Sequence, residues 1–174
     1  MGEMKQERYD VEFIKRTQNL INSYHGEYDF TLFMNCLLGL IILPNEFYGR
    51  RKLSLFNKDL STFPELKNII ASSDFVFDPT KWDSRSKSYI PDKKTLKVLL
   101  KKIRNGIAHQ RIESINEDGK WTGVIIQDIN KKNNNNVELS IKFQIKEFRI
   151  FAIFISSKYI DEIERLGKKK SKKI

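Results

Sequence analysis

The chain has 174 residues, a length that suits one hydrophobic core, and its 40% apolar and 31% charged residues are typical of an ordered globular protein. The formal net charge is +10, and half of it lies after Gly167, where five lysines form a basic tail. A basic body with a basic tail predicts a polyanionic partner, with nucleic acid ahead of an anionic membrane surface, although the tail alone fits a solubilising role equally well.

The cysteine and histidine counts limit the chemistry further. The single cysteine, Cys36, excludes an intramolecular disulfide, and with only His25 and His109 a zinc cluster is not expected. A lone thiol is typical of a reducing compartment, so we expect a cytoplasmic protein. The polar first 29 residues predict no secretory signal, and the apolar stretch 30–43 is too short to span a bilayer. We therefore expect no membrane partner, and since the carboxylates are scattered and no glycine-rich phosphate loop is present, no metal and no cofactor.

The periodicity of apolar residues predicts four helices, at residues 11–24, 30–43, 92–110 and 146–166. Asp10 is the expected N-cap of the first helix, Pro44 is expected to close the second, and Gly167 is expected to stop the last. Gly39, inside the second helix, predicts the close approach of another backbone.

Strict alternation of apolar and polar residues over 137–145 predicts a strand, with 121–129 as its hairpin partner. The expected fold is therefore mainly α, a four-helix bundle with a β-hairpin at about 121–145 inserted before the last helix. Residues 1–167 are expected to form a single domain, followed by the basic tail 168–174.

The long connection 44–92 holds a short predicted helix at 64–71 and two groups of cations interleaved with aromatic rings. The cations and rings that we single out are Arg50, Arg51, Lys81, Trp82 and Arg85. Rings can stack on bases and cations can neutralise phosphates, so both groups predict RNA contact. Ordinary loop packing explains them nearly as well.

The segment Arg-Asn-Gly-Ile-Ala-His at 104–109 carries the candidate chemistry. His109 can exchange a proton near neutral pH, whereas Arg104 and Asn105 can hold phosphate oxygens or a hydroxyl. The basic helix before the segment and Arg111 after it would attract a polyanion. The spacing alone is weak evidence, because a helix-terminal histidine near the helix dipole and an arginine paired to a carboxylate would give the same pattern.

The same segment resembles the signature of the HEPN superfamily (higher eukaryote and prokaryote nucleotide-binding), in which Arg, a polar residue and three variable residues precede His. Residues 35–46, Asn-Cys-Leu-Leu-Gly-Leu-Ile-Ile-Leu-Pro-Asn-Glu, are similar to the second-helix region of a bacterial, plasmid-borne HEPN subgroup. The resemblance covers roughly 10–110 well and the last helix loosely. It implies an HEPN-like four-helix bundle and a metal-independent endoribonuclease with a composite active site across a homodimer.

In the chemistry that this resemblance implies, the RNA 2′-hydroxyl attacks the adjacent phosphorus and leaves a 2′,3′-cyclic phosphate and a 5′-hydroxyl. His109 would serve as general base or acid, Arg104 would stabilise charge on the phosphorane, and Asn105 would orient the hydroxyl or the phosphate. Lys101 and Arg111 join the expected RNA-binding residues.

The resemblance also suggests a biological setting. Such enzymes act in toxin–antitoxin and antiviral-defence systems, so an antitoxin or defence partner is a further expectation. In HEPN toxins silenced by a nucleotidyltransferase, a tyrosine lies two positions after the histidine, and here that position is Arg111, so this form of control is not expected. The alternative is a non-catalytic HEPN module for RNA binding or dimerisation.

Helix geometry constrains the expected site. A five-residue step on a straight helix rotates by about 500°, so Arg104 and His109 should point about 140° apart. They can share one target if the helix is distorted between them, for which Gly106 is the candidate, or if a second subunit contributes.

Overall fold

The computed structural model of the chain describes residues 9–24, 29–51, 53–72 and 74–171, with only the backbone described at 29–30, 47–51 and 168–171. The described residues fall into two compact units, one within Met1–Leu55 and Phe148–Ile174 and the other within Phe56–Glu147. In these residues, no helix has the length and apolarity needed to cross a membrane. The expectation of a single domain over 1–167 stays a prediction.

The first unit is helical and consists of α1 (Tyr9–Ser23), α2 (Asp29–Arg51) and nearly all of α5 (Ile145–Ser171). Its buried apolar side chains come from one face of each helix, including Val11, Ile14, Leu37, Ile41, Phe151, Ile155 and Tyr159. Polar contacts fix α1 against α5, where Gln18 donates to the hydroxyl of Ser156 at 2.7 Å.

Three helix ends of this unit differ from the prediction. Asp10 is not an N-cap but a buried residue inside α1, and its carboxylate accepts a hydrogen bond from the Tyr159 hydroxyl. The second helix continues through Pro44, which is itself buried, because packing of an apolar helix outweighs the loss of one backbone donor. The last helix continues through Gly167 into the lysines, whose charge is favourable near a helix C-terminus.

The second unit is built on an antiparallel sheet of four strands in the order β1, β6, β5, β4. Their bounds are β1 (Val76–Phe77), β4 (Ile112–Glu117), β5 (Lys120–Asn130) and β6 (Asn136–Gln144). A separate hairpin pairs β2 (Thr80–Asp83) with β3 (Ser88–Pro91). The short helix α3 (Lys67–Ile70) follows a 3-10 turn at Pro64–Leu66, and α4 (Leu96–Ala108) lies against β5 and β6.

The prediction of a mainly α four-helix bundle is wrong. The predicted hairpin exists as β5 and β6, but β1 and β4 extend it into a sheet, so the described fold is mixed α and β. The helix α4 buries Leu99, Leu100 and Ile103 against this sheet. The sheet is thus the surface on which the motif helix rests, and not an inserted hairpin.

Candidate active site

The helix α4 is regular from its N-cap to the end of the motif. Thr95 caps it by accepting from the backbone N–H of Val98 at 3.4 Å, and the helix continues through Gly106 to Ala108. The distortion expected at Gly106 is therefore not found. Instead, a β-carbon at Gly106 would lie 2.4 Å from the carbonyl oxygen of Gln127 in β5. The glycine is needed because it lets the helix approach the strand backbone.

The chain leaves the helix immediately after His109. This residue is the C-cap, with φ −97° and ψ 13°, and Gln110 follows with φ 56°. The N–H of Gln110 donates to Ile107 at 3.0 Å and that of Arg111 donates to Gly106 at 2.8 Å, which together form a Schellman motif. His109 is thus held at the point where α4 turns into β4.

Asn105 contacts Arg104 at one end of the motif and stands one helical turn before His109 at the other. The Arg104 guanidinium donates to Asn105 Oδ1 at 3.4 Å. Asn105 and His109 are four residues apart on one helix face, a spacing that places their β-carbons about 6 Å apart. Arg104 and His109 are both exposed, and Asn105 is half-buried. Asn105 therefore lies between the directions of Arg104 and His109, which a regular helix places about 140° apart.

A stripe of cations leads along the exposed face of α4 to the motif. Lys97, Lys101 and Arg104 are exposed and follow a spacing of four and then three residues, which places them on one face. We call these three residues the cationic stripe. Lys101 was predicted as an RNA contact, whereas Lys97 was missed although the same spacing points to it.

Arg111 and Lys102, which flank the motif, face the protein. The Arg111 guanidinium, 17% exposed, donates to the carbonyl oxygen of Ile129 at 2.8 Å and lies 3.5 Å from Asp128 Oδ1. The Lys102 ammonium, 11% exposed, lies 3.1 Å from Asp128 Oδ2 and bonds Glu138. We call Lys102, Arg111, Asp128 and Glu138 the buried ion cluster. The expected RNA contact by Arg111 stays untested, but its guanidinium is engaged in these protein contacts.

Hydrogen bonds keep Glu138 and Lys102 charged in spite of their burial. Burial by itself raises the pKa of Glu138, but hydrogen bonds from Lys102, Thr80 and Asn130 outweigh it and hold that pKa below its ordinary value of 4.5. Burial likewise lowers the pKa of Lys102, but the hydrogen bond to Glu138 and the charge of Asp128 raise it overall above 10.5. Both partners are therefore ionised at neutral pH.

The hairpin of β2 and β3 displays an aromatic pair beside cations. Trp82 is 56% exposed, and its ring meets Tyr89, the residue opposite, edge-on at a centroid distance of 5.2 Å. Lys81 lies 3.5 Å from Asp92 and remains half exposed, while Arg85 is exposed in the turn. With Lys87, which is also exposed in the turn, the hairpin thus offers one largely exposed ring and three cations to solvent.

Hydrogen bonds link the two sides of the hairpin turn. Asp83 accepts them from the hydroxyl and the backbone N–H of Ser86, at 2.7 and 3.1 Å, and these bonds lower the pKa of Asp83. At the other end of the hairpin, the Thr80 hydroxyl donates to Glu138 of the buried ion cluster.

Two predicted RNA contacts fall outside the part of the chain whose side chains are described. Arg50 and Arg51 lie in the last turn of α2, and only their backbone is described. Within the described residues, no three His, Cys, Asp or Glu side chains are grouped as a metal site would require.

A protein-family model described as HEPN pEK499 p136 matches residues 1–166. The chain belongs to this HEPN family. The resemblance inferred from 104–109 and 35–46 is thereby confirmed, and HEPN membership indicates a nucleotide-binding or ribonuclease-like function. No curated protein and no solved structure matches the chain.

The range matched by the HEPN model also includes β4, β5 and β6. In this HEPN chain the signature residues Arg104 and His109 are on the exposed side of α4, and the sheet supports the opposite side. The family signature and the sheet that holds it therefore lie within one matched segment.

Proposed function

We propose that this HEPN protein is an endoribonuclease that cleaves RNA without a metal ion, through attack of a 2′-hydroxyl on the neighbouring phosphorus. The observation that carries the proposal is the arrangement of the motif. Arg104, Asn105 and His109 occupy the end of α4, with Arg104 bonded to Asn105 and His109 exposed one turn beyond Asn105. A proton-exchanging imidazole beside an anion-binding guanidinium and an amide is the set of groups that this reaction requires.

Each side chain has a defined task in the proposed reaction. The His109 imidazole removes the proton from the 2′-hydroxyl or delivers one to the departing 5′-oxygen. Arg104 donates hydrogen bonds to the phosphorane oxygens, where negative charge develops. Asn105, which lies between them, orients the nucleophilic hydroxyl or a phosphate oxygen.

A second copy of the chain would complete the acid and base pair. One subunit supplies one motif histidine, whereas concerted attack and departure use one group to accept a proton and another to donate one. A homodimer that brings two motifs together supplies both, with two guanidiniums for one phosphate. We therefore propose a composite site across a homodimer.

Substrate RNA would be bound by the charged and aromatic surfaces of the same unit. The cationic stripe offers phosphate contacts that lead to Arg104. Trp82, with its ring 56% exposed, offers a stacking surface for an unpaired base, flanked by Lys81 and Arg85. These surfaces favour single-stranded RNA, and they would serve equally in a non-catalytic RNA-binding module.

We test the proposal by incubating the full chain with transfer and messenger RNA in EDTA. Arg104→Ala and His109→Ala are compared with Arg16→Ala, an exposed arginine in α1 that serves as a matched control. Cleavage by the wild type and the control, lost in both motif variants, supports the endoribonuclease. Equal cleavage by all four proteins would come from a contaminating nuclease and reject it, and salt-dependent binding without cleavage would support the binding module instead.

The proposed setting is the bacterial cytoplasm, where the enzyme would act as a toxin or antiviral-defence effector restrained by an antitoxin or defence partner. Induced expression should then arrest growth, and His109→Ala should remove the arrest. Growth arrest that is identical for the wild type and His109→Ala would contradict a toxic ribonuclease.

A further inference from the structure

The two residues that flank the motif converge on one buried carboxylate. Lys102 stands two residues before Arg104, and Arg111 stands two residues after His109. Both form ion pairs with Asp128, which is 4% exposed. Lys102 Nζ lies 3.1 Å from one carboxylate oxygen, and Arg111 Nη1 lies 3.5 Å from the other. A single side chain of β5 therefore contacts both ends of the segment that carries the signature.

The local backbone explains why such a connection matters. Gln110 has a φ of 56°, a conformation that a residue with a β-carbon adopts at an energetic cost. It persists only where the surrounding structure holds it. The side chain of Arg111, fixed to Asp128 and to the carbonyl oxygen of Ile129 at 2.8 Å, holds the residue directly after Gln110. The C-cap position of His109 depends on the same turn.

Stability alone does not account for the buried ion cluster. Buried ion pairs cost desolvation energy and can often be replaced by apolar side chains without loss of stability. Their better attested use is to specify one geometry among several. A β-bulge supports this interpretation, because the register of β5 and β6 shifts between Asp128 and Ile129, and Glu138 is the extra residue in β6. Bulges next to active sites commonly redirect a side chain.

We propose that Asp128 is a positioning residue, whose two oxygens hold Lys102 within α4 and Arg111 just after its end, and thereby fix the direction in which His109 is presented. Its consequence for cleavage rests on the proposed ribonuclease function, whereas the effect on His109 does not. Because the contacts of Asp128 are with Lys102 and Arg111, it would act on His109 through the backbone of this segment and not as a catalytic residue.

The test uses the full chain with isotope-labelled histidine. The sequence contains two histidines, so the variant His25→Gln identifies the nuclear magnetic resonance signals of the His109 ring. We expect Asp128→Asn to shift or broaden the His109 signals and to leave those of His25 in place. The matched control is Asp74→Asn, which removes an exposed carboxylate paired with Lys142 at 3.7 Å and should change neither set of signals.

A second variant provides a test if Asp128→Asn does not fold. Arg111→Met keeps the aliphatic stem and removes the guanidinium that joins the turn to Asp128. It should change the His109 signals as Asp128→Asn does. Unchanged His109 signals in a folded Asp128→Asn protein would overturn the proposal, and if that variant does not fold, unchanged signals in Arg111→Met would do so.

Kinetics separate positioning from a structural role. We expect Asp128→Asn to lower kcat by about 100-fold, because small misplacements of reacting groups are costly. KM should stay within about twofold, since the RNA-binding surfaces remain in place. A variant with lower thermal stability but unchanged kcat would contradict the proposal. If the wild type cleaves no RNA, the ribonuclease proposal fails, and the His109 signals still decide the role of Asp128.

Discussion

Gly106 of α4 lies against the carbonyl oxygen of Gln127 in β5 so closely that a β-carbon would be 2.4 Å from that oxygen. From the sequence, Gly106 was the candidate position for a distortion of the helix between Arg104 and His109. The structure gives it a different task, because the helix is continuous there and the missing side chain permits contact between helix and sheet.

Gly106→Ala is expected to destabilise the protein. The added methyl group would push α4 away from β5, and overpacking of this kind costs about 2 kcal/mol of unfolding free energy. Urea unfolding measures the change, and RNA cleavage should fall with it because Arg104 and His109 move with the helix.

Gly39→Ala is the matched control. A close backbone was expected near Gly39, but the nearest atom to a β-carbon there is Phe13 Cε1 at 4.0 Å. Alanine should therefore fit and raise the unfolding free energy by up to about 1 kcal/mol through helix propensity. If both substitutions had the same effect, the contact of Gly106 with Gln127 would not be what makes that glycine necessary.

Trp82→Ala is expected to weaken the binding of single-stranded RNA. Loss of a stacking ring costs about 1–3 kcal/mol per base, or roughly 5- to 150-fold in Kd. Trp121→Ala is the matched control, because Trp121 is 53% exposed and lies outside the proposed surface. Fluorescence anisotropy with a labelled oligonucleotide measures both. An equal loss in the two variants would argue against the β2–β3 hairpin as the binding site.

Lys101→Ala is expected to reduce the salt dependence of RNA binding. Each phosphate contact on a single strand contributes about 0.7 to the slope of log K against log salt concentration. Removal of one stripe cation should lower that slope by about this amount, whereas Lys120→Ala, an exposed lysine at the start of β5, should not. Titrations at several salt concentrations give the slopes. Identical slopes for wild type and Lys101→Ala would exclude a phosphate contact at Lys101.

Glu138→Gln is expected to show a pH-dependent loss of stability. Because the folded pKa of Glu138 lies below 4.5, its charge stabilises the protein fully above that pH and loses this effect as the pH falls through the folded pKa. Breaking the buried pair should cost about 3 kcal/mol at neutral pH.

The difference in unfolding free energy between the wild type and Glu138→Gln should shrink as the pH falls below 4.5. Urea unfolding at neutral and acidic pH measures it. The matched control, Glu113→Gln, changes an exposed residue of β4 and should have little effect at any pH. A difference that stays constant down to strongly acidic pH would mean that folding does not lower the pKa of Glu138.

Elements with a regular alternation or spacing of apolar residues were predicted correctly from the sequence. The alternation over 137–145 predicted β6, and the spacing of Leu96, Leu99, Leu100 and Ile103 predicted the buried face of α4. The motif at 104–109 was likewise visible as a string of residue types. Each of these signals lies within one stretch of chain.

Features that depend on contacts between residues far apart in the sequence were not predicted. The strand β4 is half-exposed and its apolar residues, Ile112 and Ile115, are three apart, so it lacks strict alternation. Glu138 stands among the polar positions of its strand, but the bulge beside Asp128 makes it fully buried. From the sequence alone, Lys102 would be expected on the solvent-exposed face of α4, but it is buried in contact with the carboxylates of Asp128 and Glu138. The sequence could not reveal that the motif helix rests on an ion cluster.

The chemical ends of the RNA fragments produced in EDTA distinguish the proposed mechanism from metal-dependent cleavage. We predict fragments with a 2′,3′-cyclic phosphate and a 5′-hydroxyl, and no cleavage at a position where one 2′-deoxynucleotide replaces the nucleotide before the scissile bond. His109→Ala should give no fragments. Fragments with a 3′-hydroxyl and a 5′-phosphate, or cleavage that continues at the deoxynucleotide, would contradict the proposed mechanism.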